Sequence, residues 1–214
     1  MNKKRIWFFG DSWVCTYTGW IKELVEKYDL DVKNYGVAGA SIPHLLADIS
    51  SKIDRIKPDD TVVICYTTTT RHFLNSKNFC AGRLAADETK EGVSAALEYH
   101  KITEPEYLAY KELCKTTGTE DLSQLNLFAL KSLHNNIGKL LPKRTVELFG
   151  FTPTAPPVKD KIDLLSINYD FEKYPPLFDF ITSNNIDYTE SVIHIPDSYT
   201  EKFLQTYGTL FNFD

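Results

Sequence analysis

Phe8-Phe9-Gly10-Asp11-Ser12-Trp13 closes the first apolar run of the chain and marks where a strand gives way to a turn. Arg5 to Phe9 is rich in β-branched and aromatic residues, which read as a buried strand. Gly10 breaks that strand. Asp11 and Ser12 are helix-capping types, and apolar residues at helical spacing follow through Trp20, Leu24 and Tyr28. The expectation is strand, tight turn, helix, with Ser12 at the helix mouth on the C-terminal edge of a sheet. A hydroxyl placed there suits a nucleophile, because a helix N-terminus favours developing negative charge. Taken alone, the same serine reads as a helix cap.

Outward from this stretch, strands and helices alternate. Asp29 to Tyr35 is expected as a second strand, ending in the small-residue loop Asn34-Tyr35-Gly36-Val37-Ala38-Gly39-Ala40-Ser41. Ile42 to Ile56 follows as a helix with Leu45, Leu46, Ile49 and Ile53 on its apolar face and Pro43 in its first turn, where proline is tolerated. Thr61 to Tyr66 is an almost continuous apolar strand, so both of its faces are covered, as in a parallel sheet. Residues 73–118 are expected as an irregular and helical excursion, with Glu104 to Cys114 helical. Thr119 to Leu141 carries a leucine stripe, with Thr119 as its cap. Thr145 to Phe151 is a fourth strand, Asp163 to Ile167 a short strand, and Asp197 to Tyr207 a last helix.

This rhythm implies the α/β class: a three-layer α/β/α sandwich around a mostly parallel, doubly wound sheet, in one domain over residues 1–214. Such sheets work at their C-terminal strand ends. Three of those ends carry Gly10-Asp11-Ser12, Gly36 to Ser41, and Thr67-Thr68-Thr69-Thr70-Arg71-His72, which are expected to converge.

At 214 residues the chain is long enough to bury a core without disulfides. A net charge of −5 argues against a nucleic-acid binder. Cys15, Cys65, Cys80 and Cys114 form no C-x-x-C pair and suit a reducing compartment. The apolar part of the N-terminus is shorter than a signal peptide requires, and no stretch approaches the ~20 apolar residues of a membrane span. A cytoplasmic protein is expected, or one released by lysis if it is viral.

Three segments resemble the SGNH hydrolases, also called the GDSL esterase/lipase family. Phe8-Phe9-Gly10-Asp11-Ser12 resembles the first block, which implies Ser12 as nucleophile with Asp11 beside it. Asn34 to Ser41 resembles the second, and Gly39 matches the glycine whose backbone N–H holds the oxyanion. His194, ahead of the last helix, resembles the base of the final block. The resemblance implies a flavodoxin-like SGNH fold and a serine esterase acting on a small ester, with O-acetyl groups on a carbohydrate as the favoured substrate. Acyl transfer needs a nucleophile, a base and oxyanion donors, and these residues supply all three types.

Two departures stand out. The third block of the family is Gly-x-Asn-Asp, whereas this chain has Thr67 to Arg71, similar to relatives with a Thr/Ser-rich turn ending in arginine. Thr69 falls where the asparagine would lie, with Thr67 and Thr68 as near alternatives. The final block is Asp-x-x-His, and Ser191 stands three residues before His194. Asp187 or Glu190 would then orient the imidazole, or a backbone carbonyl would do so in a Ser-His dyad. Arg71 holds either an anionic group of the substrate or a carboxylate of the fold.

There is no G-x-S-x-G elbow, Walker A, G-x-G-x-x-G or His-Glu-x-x-His motif, and His44, His72, His100 and His134 are scattered. No cofactor and no metal are expected. The rival readings are a non-catalytic SGNH-fold module that binds sugar or protein, and a phosphate binder using the turn after Gly10.

Overall fold

The computed structural model describes residues 3–17, 19–74, 77–80, 93–94, 97–98, 101–141, 144–151, 167–186 and 195–211. β1 (Arg5–Gly10), β2 (Asp31–Gly36), β3 (Thr61–Tyr66) and a strand at Thr145–Phe149 form a parallel sheet. β1 lies between β2 and β3, and the Thr145–Phe149 strand lies beyond β3. The chain starts near the centre, steps out to β2 and returns across β1 to β3, as a doubly wound sheet requires. The fold is therefore α/β, with helices on both faces.

Side-chain alternation along β1 separates the two layers. Ile6 and Phe8 pack under α1 (Gly19–Tyr28), together with helices at Leu177–Ser183 and Thr200–Tyr207. Trp7 and Phe9 face the opposite layer, with α2 (Ile42–Lys52) and the long helix Thr119–Leu140. All six residues of β3 are buried, matching its continuous apolar sequence. In α1, Trp20, Ile21, Leu24 and Val25 form the buried stripe. The Trp20 ring lies 5.9 Å from that of Phe8 and 4.6 Å from that of Phe203, which locks the last helix onto the first layer.

Between β3 and the last strand of the sheet, the excursion contains more order than its sequence suggests. β4 (Arg71–Leu74) and β5 (Lys77–Cys80) form an antiparallel hairpin, followed by α3 (Glu104–Thr117) and α4 (Thr119–Leu140). α3 starts where the Thr103 N–H donates to the Glu106 carboxylate at 2.7 Å. Gly118, at φ +83°, separates the two helices, so α4 is capped by Gly118 and not by Thr119. β6 (Thr145–Phe149) completes the sheet. α5 (Leu177–Ser183), absent from the sequence reading, precedes α6 (Thr200–Tyr207), whose entry is a 3₁₀ turn at Asp197–Tyr199. The short strand expected at Asp163 to Ile167 lies outside the described residues, except for Ile167 itself.

One local expectation is overturned. No helix follows Ser12 directly, because α1 begins only at Gly19. Trp13 and Val14 are buried within the intervening turn, and the Trp13 ring sits 5.9 Å from Phe151. Burial of these two side chains outweighs the helical tendency of the segment. Gly19 has φ +54°, and a Cβ there would meet the Ile195 carbonyl oxygen at 2.8 Å, so the helix starts where the chain can pass.

Candidate active site

Ser12 thus sits in a loop at the C-terminal end of β1, and its position comes from tertiary contacts instead of a helix mouth. Val14 N–H donates to the Asp11 carbonyl at 3.1 Å, closing a turn around the half-buried serine. Asn34 stitches that turn to β2. Its Nδ2 donates to the Val14 carbonyl at 2.7 Å, while its Oδ1 accepts from Gly36 N–H at 2.8 Å. The approach is close enough that a Cβ on Gly36 would lie 2.7 Å from Cys15 N. Gly10 is equally constrained, since a Cβ there would meet the Cys65 carbonyl oxygen at 2.7 Å.

Asp11 is completely buried. Its Oδ1 accepts from Trp13 N–H at 3.2 Å, and its Oδ2 accepts from the Thr67 hydroxyl at 2.7 Å and from Arg71 Nη1 at 2.6 Å. Arg71 Nη1 also donates to Thr67 Oγ1 at 2.9 Å and reaches the Ala40 carbonyl at 3.5 Å. One guanidinium nitrogen therefore joins the β1 turn, the loop after β2 and the loop after β3. Of the two partners expected for Arg71, the structure supplies a carboxylate of the fold. A charge-assisted contact of this kind is among the stronger hydrogen bonds available to a protein.

The loop after β2 makes a turn in which Ala40 N–H donates to the Val37 carbonyl at 2.9 Å. Gly39 occupies its third position at φ +81°, the conformation a type II turn demands there. A Cβ on Gly39 would meet nothing within 4 Å, so open space faces this residue. Ser41 then caps α2, its hydroxyl accepting from His44 N–H at 3.4 Å.

The 67–71 loop divides its polar groups differently from the sequence expectation. Thr67, expected as an alternative oxyanion donor, gives its only hydroxyl proton to Asp11, which ties the loop to the β1 turn. Asp11, expected among the catalytic residues by its place beside Ser12, is sealed from solvent. The Thr68 and Thr70 hydroxyls engage one another at 3.0 Å. Thr69 is buried, at 2% exposure. His194, Asp187 and Glu190 lie outside the described residues.

Asn126 is a supporting residue that the sequence reading passed over. From α4, its Nδ2 donates to the carbonyls of Thr69 and Arg71, each at 2.8 Å. The signal was present in the sequence: Asn126 stands four positions before Leu130 on the buried face of the helix, and polar residues are buried there only with partners. Elsewhere, His72 is buried with Nδ1 2.6 Å from the Tyr110 hydroxyl, and burial holds its pKa below the ordinary histidine value. His134 Nδ1 lies 2.9 Å from Glu147 Oε1, and that hydrogen bond raises its pKa. Among the described residues, no group of three His, Cys, Asp or Glu side chains is placed to hold a metal ion.

The solved structures similar to this chain include an esterase and a member of a lipolytic family. One is the psychrotrophic esterase EstA from Pseudoalteromonas sp., in a form inhibited by monoethylphosphonate, at 12% identity, with 98% of this chain and 99% of that one covered and a TM-score of 0.45. The other is a member of the lipolytic G-D-S-L family from Veillonella parvula, at 14% identity, with 98% of each chain covered and a TM-score of 0.39. No family model and no curated protein matches the sequence. At TM-scores below 0.5 these likenesses decide nothing about chemistry, which is read from the residues themselves.

Proposed function

We propose that the protein is a serine ester hydrolase acting on a small ester, with an O-acetyl group on a carbohydrate as its substrate class. The observation that carries this reading is the contact of Arg71 Nη1 with both Asp11 and the Ala40 carbonyl. It ties the immediate neighbour of Ser12 to the immediate neighbour of Gly39, linking the two loops at the C-terminal edge of a parallel sheet. Linked loops of this kind support pairing a nucleophile with an oxyanion-binding backbone N–H.

In the proposed reaction, Ser12 Oγ forms a bond to the acyl carbon while its proton passes to His194. The carbonyl π pair moves onto oxygen, held by the backbone N–H groups of Ser12 and Gly39. Collapse breaks the bond to the alcohol, which leaves with the proton from the imidazolium. Water then repeats the sequence on the acyl-enzyme, releasing the carboxylic acid and restoring Ser12.

A non-catalytic sugar- or protein-binding module is the second reading. It is favoured by the absence of an asparagine in the 67–71 loop and by Ser191 standing where an aspartate precedes the histidine.

A fluorophosphonate probe separates the two. Covalent labelling of the wild type and none of Ser12→Ala is expected, together with hydrolysis of 4-nitrophenyl acetate only by the wild type. A folded wild type that resists labelling and shows no turnover would leave the binding module standing.

A further inference from the structure

In the 67–71 loop, Arg71 combines a fixed anchor with uncommitted donors. Every hydrogen bond of its side chain runs through Nη1, to Asp11, Thr67 and Ala40. Among the described residues, Nε and Nη2 have no hydrogen-bond partner. The side chain retains 15% exposure although its partner Asp11 has none, so the guanidinium lies at the edge of the buried cluster and not within it. The planar group is held rigidly, because its anchor nitrogen sits among three acceptors and Asn126 fixes the backbone carbonyl of Arg71.

Resting on the ester-hydrolase reading above, we propose that Arg71 is a catalytic residue whose Nε or Nη2 N–H donates to the carbonyl oxygen of the scissile ester as Ser12 adds to it. The electron pair displaced from the carbonyl π bond comes to rest on that oxygen, and no proton moves from Arg71. Chemistry favours this role over capture of an anionic substrate group. Asp11 already neutralises the standing charge of the guanidinium, so a permanent anion in the ground state gains little net attraction. An oxygen that becomes charged only in the transition state still gains pre-aligned, charge-polarised N–H donors. Thr67 has given its hydroxyl proton to Asp11, so the competing side-chain donors in the loop are Thr69 and whichever of Thr68 and Thr70 accepts in their mutual hydrogen bond.

The test uses the Arg71→Lys variant and the wild-type adduct. Lysine keeps a cation beside Asp11 but lacks the planar fork that presents a second nitrogen. On 4-nitrophenyl acetate, kcat of the variant should fall about 10²-fold or more, the usual worth of one oxyanion donor. KM should stay within about twofold, the signature of an interaction made only in the transition state. A merely structural role would instead lower the unfolding midpoint without that split.

In a crystal structure of the wild type after reaction with a fluorophosphonate, the phosphoryl oxygen should lie about 2.7–3.1 Å from Nε or Nη2. That structure decides the matter even if Arg71→Lys does not fold. A labelled Ser12 with the phosphoryl oxygen held by a threonine hydroxyl of the 67–71 loop, or by backbone alone, overturns the assignment and leaves the hydrolase reading intact. An unlabelled wild type overturns both.

Discussion

The carboxylate of Asp11, fully buried, lies 2.6 Å from Nη1 of Arg71 across 60 positions of sequence. This pair joins the C-terminal ends of β1 and β3, so it holds together the loops that carry Ser12 and the Thr67–Arg71 turn. Removing one member of a buried pair leaves an uncompensated charge, which costs far more than the pair contributes. Asp11→Ala is therefore expected to lower unfolding stability by about 3–5 kcal/mol. Urea titration followed by circular dichroism measures this, and a loss under about 1 kcal/mol would show that Arg71 finds another partner or water.

Asn126 fixes the same turn from the opposite layer. Asn126→Ala leaves the carbonyls of Thr69 and Arg71 without their donor in a buried setting. The expected destabilisation is about 2 kcal/mol or more, with a fall in kcat as the loop loosens. Wild-type kcat in a destabilised Asn126→Ala would separate loop position from turnover.

Gly36 and Gly39 respond to alanine for different reasons. At Gly36 the new Cβ collides with the backbone of Cys15 at 2.7 Å, displacing the Ser12 turn. At Gly39 no atom lies within 4 Å, and only the backbone conformation at φ +81° resists. Gly36→Ala should cost about 1–3 kcal/mol through overpacking. Gly39→Ala should cost about 1–2 kcal/mol, the penalty for placing an L-residue in left-handed backbone. Thermal unfolding of both variants checks the values. A Cys15 backbone unmoved in a crystal structure of Gly36→Ala would refute the collision.

Two histidines give stability opposite pH slopes. The pKa of His134 is raised by its hydrogen bond to Glu147. Its contribution is fully present below the unfolded value of about 6.5 and is lost as pH rises through the higher folded value. The pKa of His72 is lowered by burial. Its contribution is complete above about 6.5 and is lost as pH falls through the lower folded value. His134→Asn should flatten the decline on the alkaline side, and His72→Asn the decline on the acid side. Urea unfolding across pH 5–9 (the range about the free imidazole value) reads both slopes, and an unchanged alkaline slope in His134→Asn would exclude the Glu147 pair as its origin.

The sequence by itself determined the elements whose order comes from local periodicity. Thr61 to Tyr66 was legible as a doubly covered strand because six consecutive residues are apolar or β-branched, and it is buried throughout. The long α4 helix was legible from its leucine stripe, and the βαβ rhythm implied the parallel sheet that positions the Ser12, Gly39 and Thr67–Arg71 loops on one edge. How those loops are held came from long-range packing. The start of α1 depends on Trp13 and Val14 entering the core and on Gly19 passing the Ile195 carbonyl. The partner of Arg71 depends on which carboxylate a long side chain meets 60 residues away, and the clamp of Asn126 on carbonyls more than 50 residues distant. Periodicity reports which face of an element is buried, because that repeats every few residues. It does not report which polar groups meet inside, because such pairing is fixed only once the layers have packed and each buried donor must find its acceptor.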